Sequence, residues 1–424
     1  MQQRVLIGGG ALIATLSLVA ATVVGWVWYR VEHRPTFTVT ALDKKQKPLP
    51  TAPTTTTAGR GPTTTSSSTT TTAAPPSLFP APLVPPRSLT DGTNFLLVGI
   101  DSAAGLGAGD PVLNDRGDSG NTDTMMILRV DNTTGQISLV SVMRDLYVHI
   151  ADSNTFDRIN AAREYKNGRD RLTKTIRDTL GVEIHHYIEV NFRAFKNIVN
   201  DLGGVSMTYS KRTRDLNTGF DGDVGCNVLD GSMALAYVRS RHMESLGSDG
   251  AWHEDLSADY GRIARQQRFL INVAAAMTGG GAISPGTALG LVDTLTSDVS
   301  MDKSLSTDEL VSFAVTMARI GINNVHTYSL PMTGIRLPNR QDVLLVDMPQ
   351  AQDVLNIFRG QVLPGAARVK AYGSAQPYTA AAVTIDSSTA TASTSAPVTV
   401  DSTAPTSAPA TTTPAIEPSS AVHC

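Results

Sequence analysis

Three strand ends in this chain carry charges that suit a metal–phosphate site. The run from Thr122 to Val148 reads TDTMMILRVDNTTGQISLVSVMRDLYV, two apolar strands, Thr124–Val130 and Gln136–Met143, joined by Asp131-Asn132-Thr133-Thr134-Gly135. Asn, Asp and Gly tolerate tight-turn backbone angles, so this link closes a hairpin. A hairpin returns to its starting edge. It therefore brings Asp123, on the way in, beside Arg144-Asp145, on the way out. Upstream, the apolar strand Asn94–Ile100 ends in Asp101. Carboxylates suit a hard cation such as Mg²⁺, and a guanidinium suits phosphate oxygens. The same residues also make helix caps and surface ion pairs, and these three alone do not separate the two readings.

A second cluster is basic. Tyr237-Val238-Arg239-Ser240-Arg241 puts two arginines at i and i+2, which in an extended segment project to one side. Asp259-Tyr260-Gly261-Arg262 opens a helix on which Arg262, Arg265, Gln266 and Phe269 share a face. Like charges so placed repel unless an anion lies between them. Two arginine pairs fit a pyrophosphate held by bidentate contacts. The alternative is a solvated basic face neutralised by nearby Asp and Glu. The stretch between, His242–Ala258, is rich in Gly, Ser, Asp and Glu and is expected to be an exposed, mobile lid. No Ser-His-Asp constellation, G-x-S-x-G elbow, Walker loop or dinucleotide fingerprint is visible; Gly8-Gly9-Gly10 belongs to an apolar run.

The elements that must position these residues alternate in type. Further strands are expected at His186–Val190, Val205–Tyr209 and Val325–Leu330. Helices are expected at Arg169–Leu180, Phe192–Asp201, Gly231–Tyr237, Tyr260–Met277, Thr307–Ile320 and Pro349–Arg359. Such alternation implies a three-layer α/β/α fold with helices on both faces of a central mixed sheet. His185-His186 open a strand and alternate faces, so they are read as structural rather than as a metal pair.

The rest of the 424 residues is organised around that domain, placed at 87–372. Val5 to Tyr29 is an uncharged apolar run, long enough for one transmembrane helix, with Trp26, Trp28 and Tyr29 as an interfacial belt. Residues 1–30 are thus a short cytoplasmic head and an uncleaved anchor, rather than a cleaved leader. This makes a single-pass cell-membrane protein with the domain outside. Residues 31–86 and 373–424 are Thr-, Ser-, Pro- and Ala-rich and lack the apolar content for a core, so both are expected to be disordered. The first would be a long tether for a domain working at some distance from the bilayer. The net charge of −3 leaves no footprint for nucleic acid. Cysteine is limited to Cys226 and Cys424. With Cys424 at the end of a low-complexity tail, a bridge between them is not expected.

Taken together, the blocks NFLLVGIDS (Asn94–Ser102), TDTMMILRVD, ISLVSVMRDLYV, RINAA (Arg158–Ala162), YIEVNFRAF (Tyr187–Phe195), DLGGVSM (Asp201–Met207), LDGSMALAYVRSRH (Leu229–His242) and DYGRIARQQ (Asp259–Gln267) resemble, in order, the LytR–CpsA–Psr family of cell-envelope proteins. The resemblance implies a phosphotransferase. Such an enzyme moves a glycan polymer from a polyprenyl-pyrophosphate carrier to peptidoglycan, through a phosphodiester, outside the membrane. It implies Mg²⁺, or Mn²⁺ in its place, on Asp101 and Asp123. It assigns the pyrophosphate and transferred phosphoryl group to Arg144, Arg239, Arg241, Arg262 and Gln266, with Arg144, Asp101 and Asp123 as the catalytic set. It also implies an apolar pocket for the prenyl chain, for which the apolar side of Ile263–Met277 is a candidate wall. Two positions depart from the family pattern: Ala103 and Asn121 stand where Arg is common. The same residues would serve a pyrophosphatase that uses water as acceptor, or a non-catalytic scaffold for lipid-linked glycan.

Overall fold

The computed structural model describes residues 29–42, 92–102, 106, 121–131, 134–278, 285–306, 309–310 and 324–363. The expected helix Thr307–Ile320 lies outside these apart from 309–310, as do the tail beyond 363 and the apolar run except for Tyr29. Among the described residues no helix is long and apolar enough to cross a membrane.

A seven-stranded mixed sheet forms the centre. Its strands are β1 (Thr36–Phe37), β2 (Gly92–Asp101), β3 (Asn121–Asp131), β4 (Ile137–Val142), β5 (His186–Val190), β6 (Ser300–Asp302) and β7 (Val325–Ser329). They lie in the order β1-β6-β5-β2-β3-β4-β7. β2, β3 and β4 form an antiparallel meander, while β5 joins β2 and β7 joins β4 in parallel. The helices are α1 (Gly168–Leu180), α2 (Phe192–Asp201), α3 (Gly231–Arg239), α4 (Ala258–Thr278), α5 (Pro285–Ser297) and α6 (Met348–Phe358). α1 and α6 cover one sheet face, packing Leu172, Ile176, Leu355 and Phe358 on Leu96, Val98 and Ile127. On the other face, Ala194 of α2 meets Phe95 and Val130. Burial on both sides explains why β4 is buried at every position instead of alternating.

The β3–β4 turn forms as its composition requires. Asp131 Oδ1 accepts from Thr134 N at 2.9 Å, and Gly135 takes a positive φ of 68°. The last cross-strand pair, Met125–Val142, leaves Asp123 and Arg144 as the next residues in register on the same side. β3 also bulges. Gly99 pairs with Thr124 but Ile100 with Thr122, so Asp123 is the extra residue. A bulge twists the strand and re-aims its side chain, here at the site end of the sheet.

Three expectations need correction. Residues 31–42 fall inside the expected spacer, yet they build the sheet edge: β1 pairs in parallel with β6, and Val39 and Leu42 are buried in the main core. Phe37, Val39 and Leu42 supply enough apolar surface to dock a segment whose Thr content otherwise reads as linker. His242–Ala258 is not an open lid, because Glu244–Leu246 and Trp252–Glu254 form a hairpin paired onto Thr213–Asp215. Cys226 is disulfide-bonded, and the only other cysteine is Cys424, which lies outside the described residues. The reading of His185-His186 as structural fits: His185 Nδ1 accepts from Asn94 N at 3.0 Å, and buried His186 sits 3.4 Å from Asp302.

Candidate functional site

The β3 and β4 ends face the first turns of α4 across a small cleft. It is lined by Asp123, Thr124, Met125, Ser141, Val142, Met143, Arg144, Asp145, Asp259, Arg262, Ile263 and Gln266. Arg144 Nη1 donates to Asp123 Oδ1 at 2.6 Å, and its Nε reaches Asp145 Oδ2 at 3.3 Å. Arg158 Nε sits 3.4 Å from Asp145 Oδ1, extending the chain of charges. Burial pushes the Arg144 guanidinium down, but Asp123 and Asp145 outweigh it and its pKa is raised overall.

The opposite wall is basic. Asp259 Oδ1 lies 3.2 Å from Arg241 Nε and 3.4 Å from Arg262 Nη2. Arg262 is 6% exposed, and its Nε finds no hydrogen-bond partner among the described residues. Burial pushes its guanidinium down to about 10. Asp259 and Asp123 oppose that shift, while the neighbouring cations Arg241 and Arg144 add to it. Arg144 and Arg262 thus line one cleft, with Arg241 joined to Arg262 through Asp259; Arg144 is compensated by its own carboxylates, whereas Arg262 is not.

Not every expected residue arrives there in the expected way. Arg239 and Arg241 do not project together, because α3 runs through Arg239 before the chain straightens. The Arg239 guanidinium lies over the Phe192 ring at 4.7 Å, and Arg239 is not among the cleft-lining residues. Both amide hydrogens of Gln266 are used within the protein, donated to Thr124 Oγ1 at 3.0 Å and Val238 O at 3.1 Å. Gln266 therefore ties α4 to β3 and α3, and it offers a phosphate no donor unless it gives one of these up. Arg265 turns away to Asp255 (2.9 Å) and Ser240 O (2.8 Å). Phe269 is core.

Asp101 ends β2 opposite Asn121, is 8% exposed, and does not line the cleft. Asp123 has one oxygen on Arg144. Two carboxylates on neighbouring strands suit Mg²⁺, which takes one or two carboxylates together with substrate phosphate oxygens and water. No group of three or more His, Cys, Asp or Glu able to hold a metal occurs among the described residues. A self-sufficient protein cage of that kind is thus not part of the described site.

Sequence reasoning missed Asp215. Fully buried, it accepts Ser240 Oγ at 2.5 Å, His242 N at 3.2 Å and Asn217 N at 2.8 Å. It thereby holds the residues on both sides of Arg241. Burial pushes its carboxyl up, but these hydrogen bonds win and its pKa is lowered. The contact spans 25 residues with no periodic signal.

The model of the LytR_cpsA_psr family matches residues 56–359. The probable cell wall biosynthesis protein LcpB of Corynebacterium glutamicum is 36% identical over 203 residues, covering 47% of this chain and 44% of that protein. TagU of Oceanobacillus iheyensis, a polyisoprenyl-teichoic acid–peptidoglycan teichoic acid transferase, is 29% identical over 246 residues, covering 57% and 67%. The match to LcpA of C. glutamicum covers 53% of it, so the chain spans about half the length of the two corynebacterial relatives. Among solved structures, TagV of B. subtilis superposes with a TM-score of 0.50 at 20% identity, covering 64% of this chain and 99% of that one. A LytR-Csp2A-Psr enzyme from Actinomyces oris gives 0.50 at 19%, covering 66% and 96%. These structural matches speak to the fold.

Proposed function

From the premise that the chain belongs to the LytR_cpsA_psr family, we propose that it is a phosphotransferase joining a glycan to peptidoglycan. The donor is the glycan on a polyprenyl pyrophosphate, and the product is a phosphodiester. The observation that carries this reading is the buried Arg262, its Nε unpartnered among the described residues, lining one cleft with Arg144, and with Arg241 joined to it through Asp259. A diphosphate supplies the anionic oxygens such a group can use. The names of LcpB and TagU, both cell-wall proteins, support the setting.

In the proposed reaction an acceptor hydroxyl of peptidoglycan forms a bond to the phosphorus that carries the glycan. The bond from that phosphorus to the bridging oxygen breaks, polyprenyl phosphate leaves, and the hydroxyl's proton passes by way of the cleft-lining Asp123 to the departing phosphate. Arg144 and Arg262 stabilise charge on the phosphoryl oxygens as it develops. Asp123 and Asp145 hold Arg144 in place, and Asp259 holds Arg241 and Arg262. Asp101 and Asp123 would hold Mg²⁺, whose chemistry when bound is to neutralise pyrophosphate oxygens. The same reading makes the chain single-pass, with Val5–Tyr29 in the membrane and the domain outside.

The test is single-turnover transfer with the full chain, a short glycan on polyprenyl pyrophosphate, peptidoglycan oligomers and Mg²⁺, with products identified by mass. A glycan–phosphate–peptidoglycan adduct that disappears with EDTA is expected. Free glycan phosphate in place of the adduct would make the protein a hydrolase instead.

A further inference from the structure

Residues 29–42, which begin with the Tyr29 that closes the apolar run, are docked on the domain. Residues 29–32 form a helical turn, and His33 stacks on the Tyr29 ring with centroids 4.1 Å apart. Arg30 pairs with Asp293 of α5. Arg34, 8% exposed, donates to Val31 O at 2.6 Å and to Leu305 O. β1 follows on the sheet edge, with the Phe37 ring edge-on to Tyr187 at 5.5 Å. Thr40 Oγ1 and Ala41 N both bond Asp170 of α1, at 2.8 and 3.0 Å.

We infer that the domain is seated against the outer face of the bilayer with its β1–α5 side toward the lipid, fixed there by residues 29–42. The inference rests on reading Val5–Tyr29 as an uncleaved span. It replaces the long tether expected from composition. Seven residue steps separate Tyr29 from Thr36. At roughly 3.3–3.6 Å per extended residue, the sheet edge stands no more than about 25 Å from the interface, and a helical turn rising about 1.5 Å per residue shortens that. The Thr/Ser/Pro-rich stretch lies between Leu42 and Gly92, two points of one fold. Whatever its length, it adds no reach between membrane and domain. Half-exposed Tyr29 and the basic Arg30 stand where headgroups would meet them. A donor whose prenyl chain stays in the leaflet would then meet a cleft held at fixed height, instead of one that wanders.

Two full-length variants test this in lipid nanodiscs. One carries about 30 Gly/Ser residues between Trp28 and Tyr29, a spacer with a root-mean-square span of roughly 30 Å. The other lacks residues 51–75. Each also carries Ser297→Cys on exposed α5 for a fluorophore, with acceptor-labelled lipid in the disc. Energy transfer should fall at least twofold with the insertion and stay at the parental level with the deletion. Equal transfer in parent and insertion variant overturns the inference, as does release of the parent from membranes by alkaline carbonate. This readout does not depend on catalysis. Activity adds a second arm: the insertion should slow transfer from a bilayer-embedded prenyl donor about tenfold, and leave a short-chain, water-soluble donor unchanged. No turnover with either donor, but intact proximity, would sink the transferase reading and leave the seating standing.

Discussion

Between α1 and β5, Arg163 and Arg169 both fork onto Glu189, through four hydrogen bonds of 2.7–3.2 Å, and the Tyr187 hydroxyl donates to the same carboxylate at 3.1 Å. Burial pushes Arg163 down there, but Glu189 prevails and its pKa is raised. At the cleft, Arg262 is also buried near a carboxylate, yet it ends lowered, with Arg241 and Arg144 adding to the shift. One side-chain type thus shows opposite outcomes in one fold, at Arg163 of the 3-10 helix Ile159–Glu164 and at Arg262 of α4. The Glu189 cluster is satisfied by its own atoms and holds the fold together. In the cleft, Arg144 is raised by its own carboxylates as Arg163 is, and Arg262, lowered chiefly by burial, is the charge that an outside anion would relieve. Buried arginines alone do not mark a binding site; the balance of the charges around them does.

The comparison breaks most visibly if the two clusters respond alike to mutation. Arg144→Ala should lower single-turnover transfer by about 10²–10³-fold, with a melting temperature within about 3 °C of the parent. A large drop in melting temperature would put Arg144 in the structural class. Glu189→Gln should do the reverse. It leaves two guanidinium groups without their anion, at side-chain exposures of 22% and 32%. Because both arginines reach solvent, the expected loss is about 2 kcal/mol in urea denaturation, below the range for fully buried pairs. Transfer per folded molecule should not change.

The comparison sharpens at Asp215. Asparagine there turns an amide donor toward the Ser240 hydroxyl and His242 N–H, two groups that now donate to the carboxylate. Pyrophosphate affinity should fall about tenfold as Arg241 loses its fixed position, and stability should fall by about 1.5–3 kcal/mol. Asp302→Asn is the control. That buried acid accepts Tyr187 N at 2.9 Å on β5, so its loss should lower stability similarly and leave affinity alone.

Much of the site could be read from residue order because a hairpin is a local object. The apolar strands, the Asp-Asn-Thr-Thr-Gly turn and the charges flanking them fix Asp123 beside Arg144 with little help from the rest of the chain. The bulge that aims Asp123 was not legible, since it depends on the register against β2. The arginine pair at 239 and 241 was misread for a related reason: α3 packs against α2 and α4, and that contact carries the helix two residues past Tyr237. β1 was missed because a two-residue strand carries almost no periodicity, and Thr and Pro around it read as spacer. Asp215 was invisible because its contacts are tertiary. The core elements α2, β5 and Val205–Tyr209 came out at their observed bounds, where apolar spacing alone decides.

The smallest expected effect is on pH. Burial raises Asp302 and Asp215, but hydrogen bonds outweigh it, so both sit below their ordinary value of 3.8 in the folded protein. A depressed carboxylate contributes stability that is complete above that value and is lost as pH falls below it through the folded pKa. The acid limb of the stability curve should therefore be shallower in Asp302→Asn than in the parent.

The most direct test is a melt of the purified protein with inorganic pyrophosphate and Mg²⁺. At 100 times the dissociation constant, a ligand bound by the folded state adds about 2.7 kcal/mol, or roughly 4–5 °C for a domain of this size. A rise of that order in the parent and in Glu189→Gln, abolished in Arg262→Gln, is what a cleft short of anions predicts. An equal rise in Arg262→Gln, or none in the parent, would contradict it.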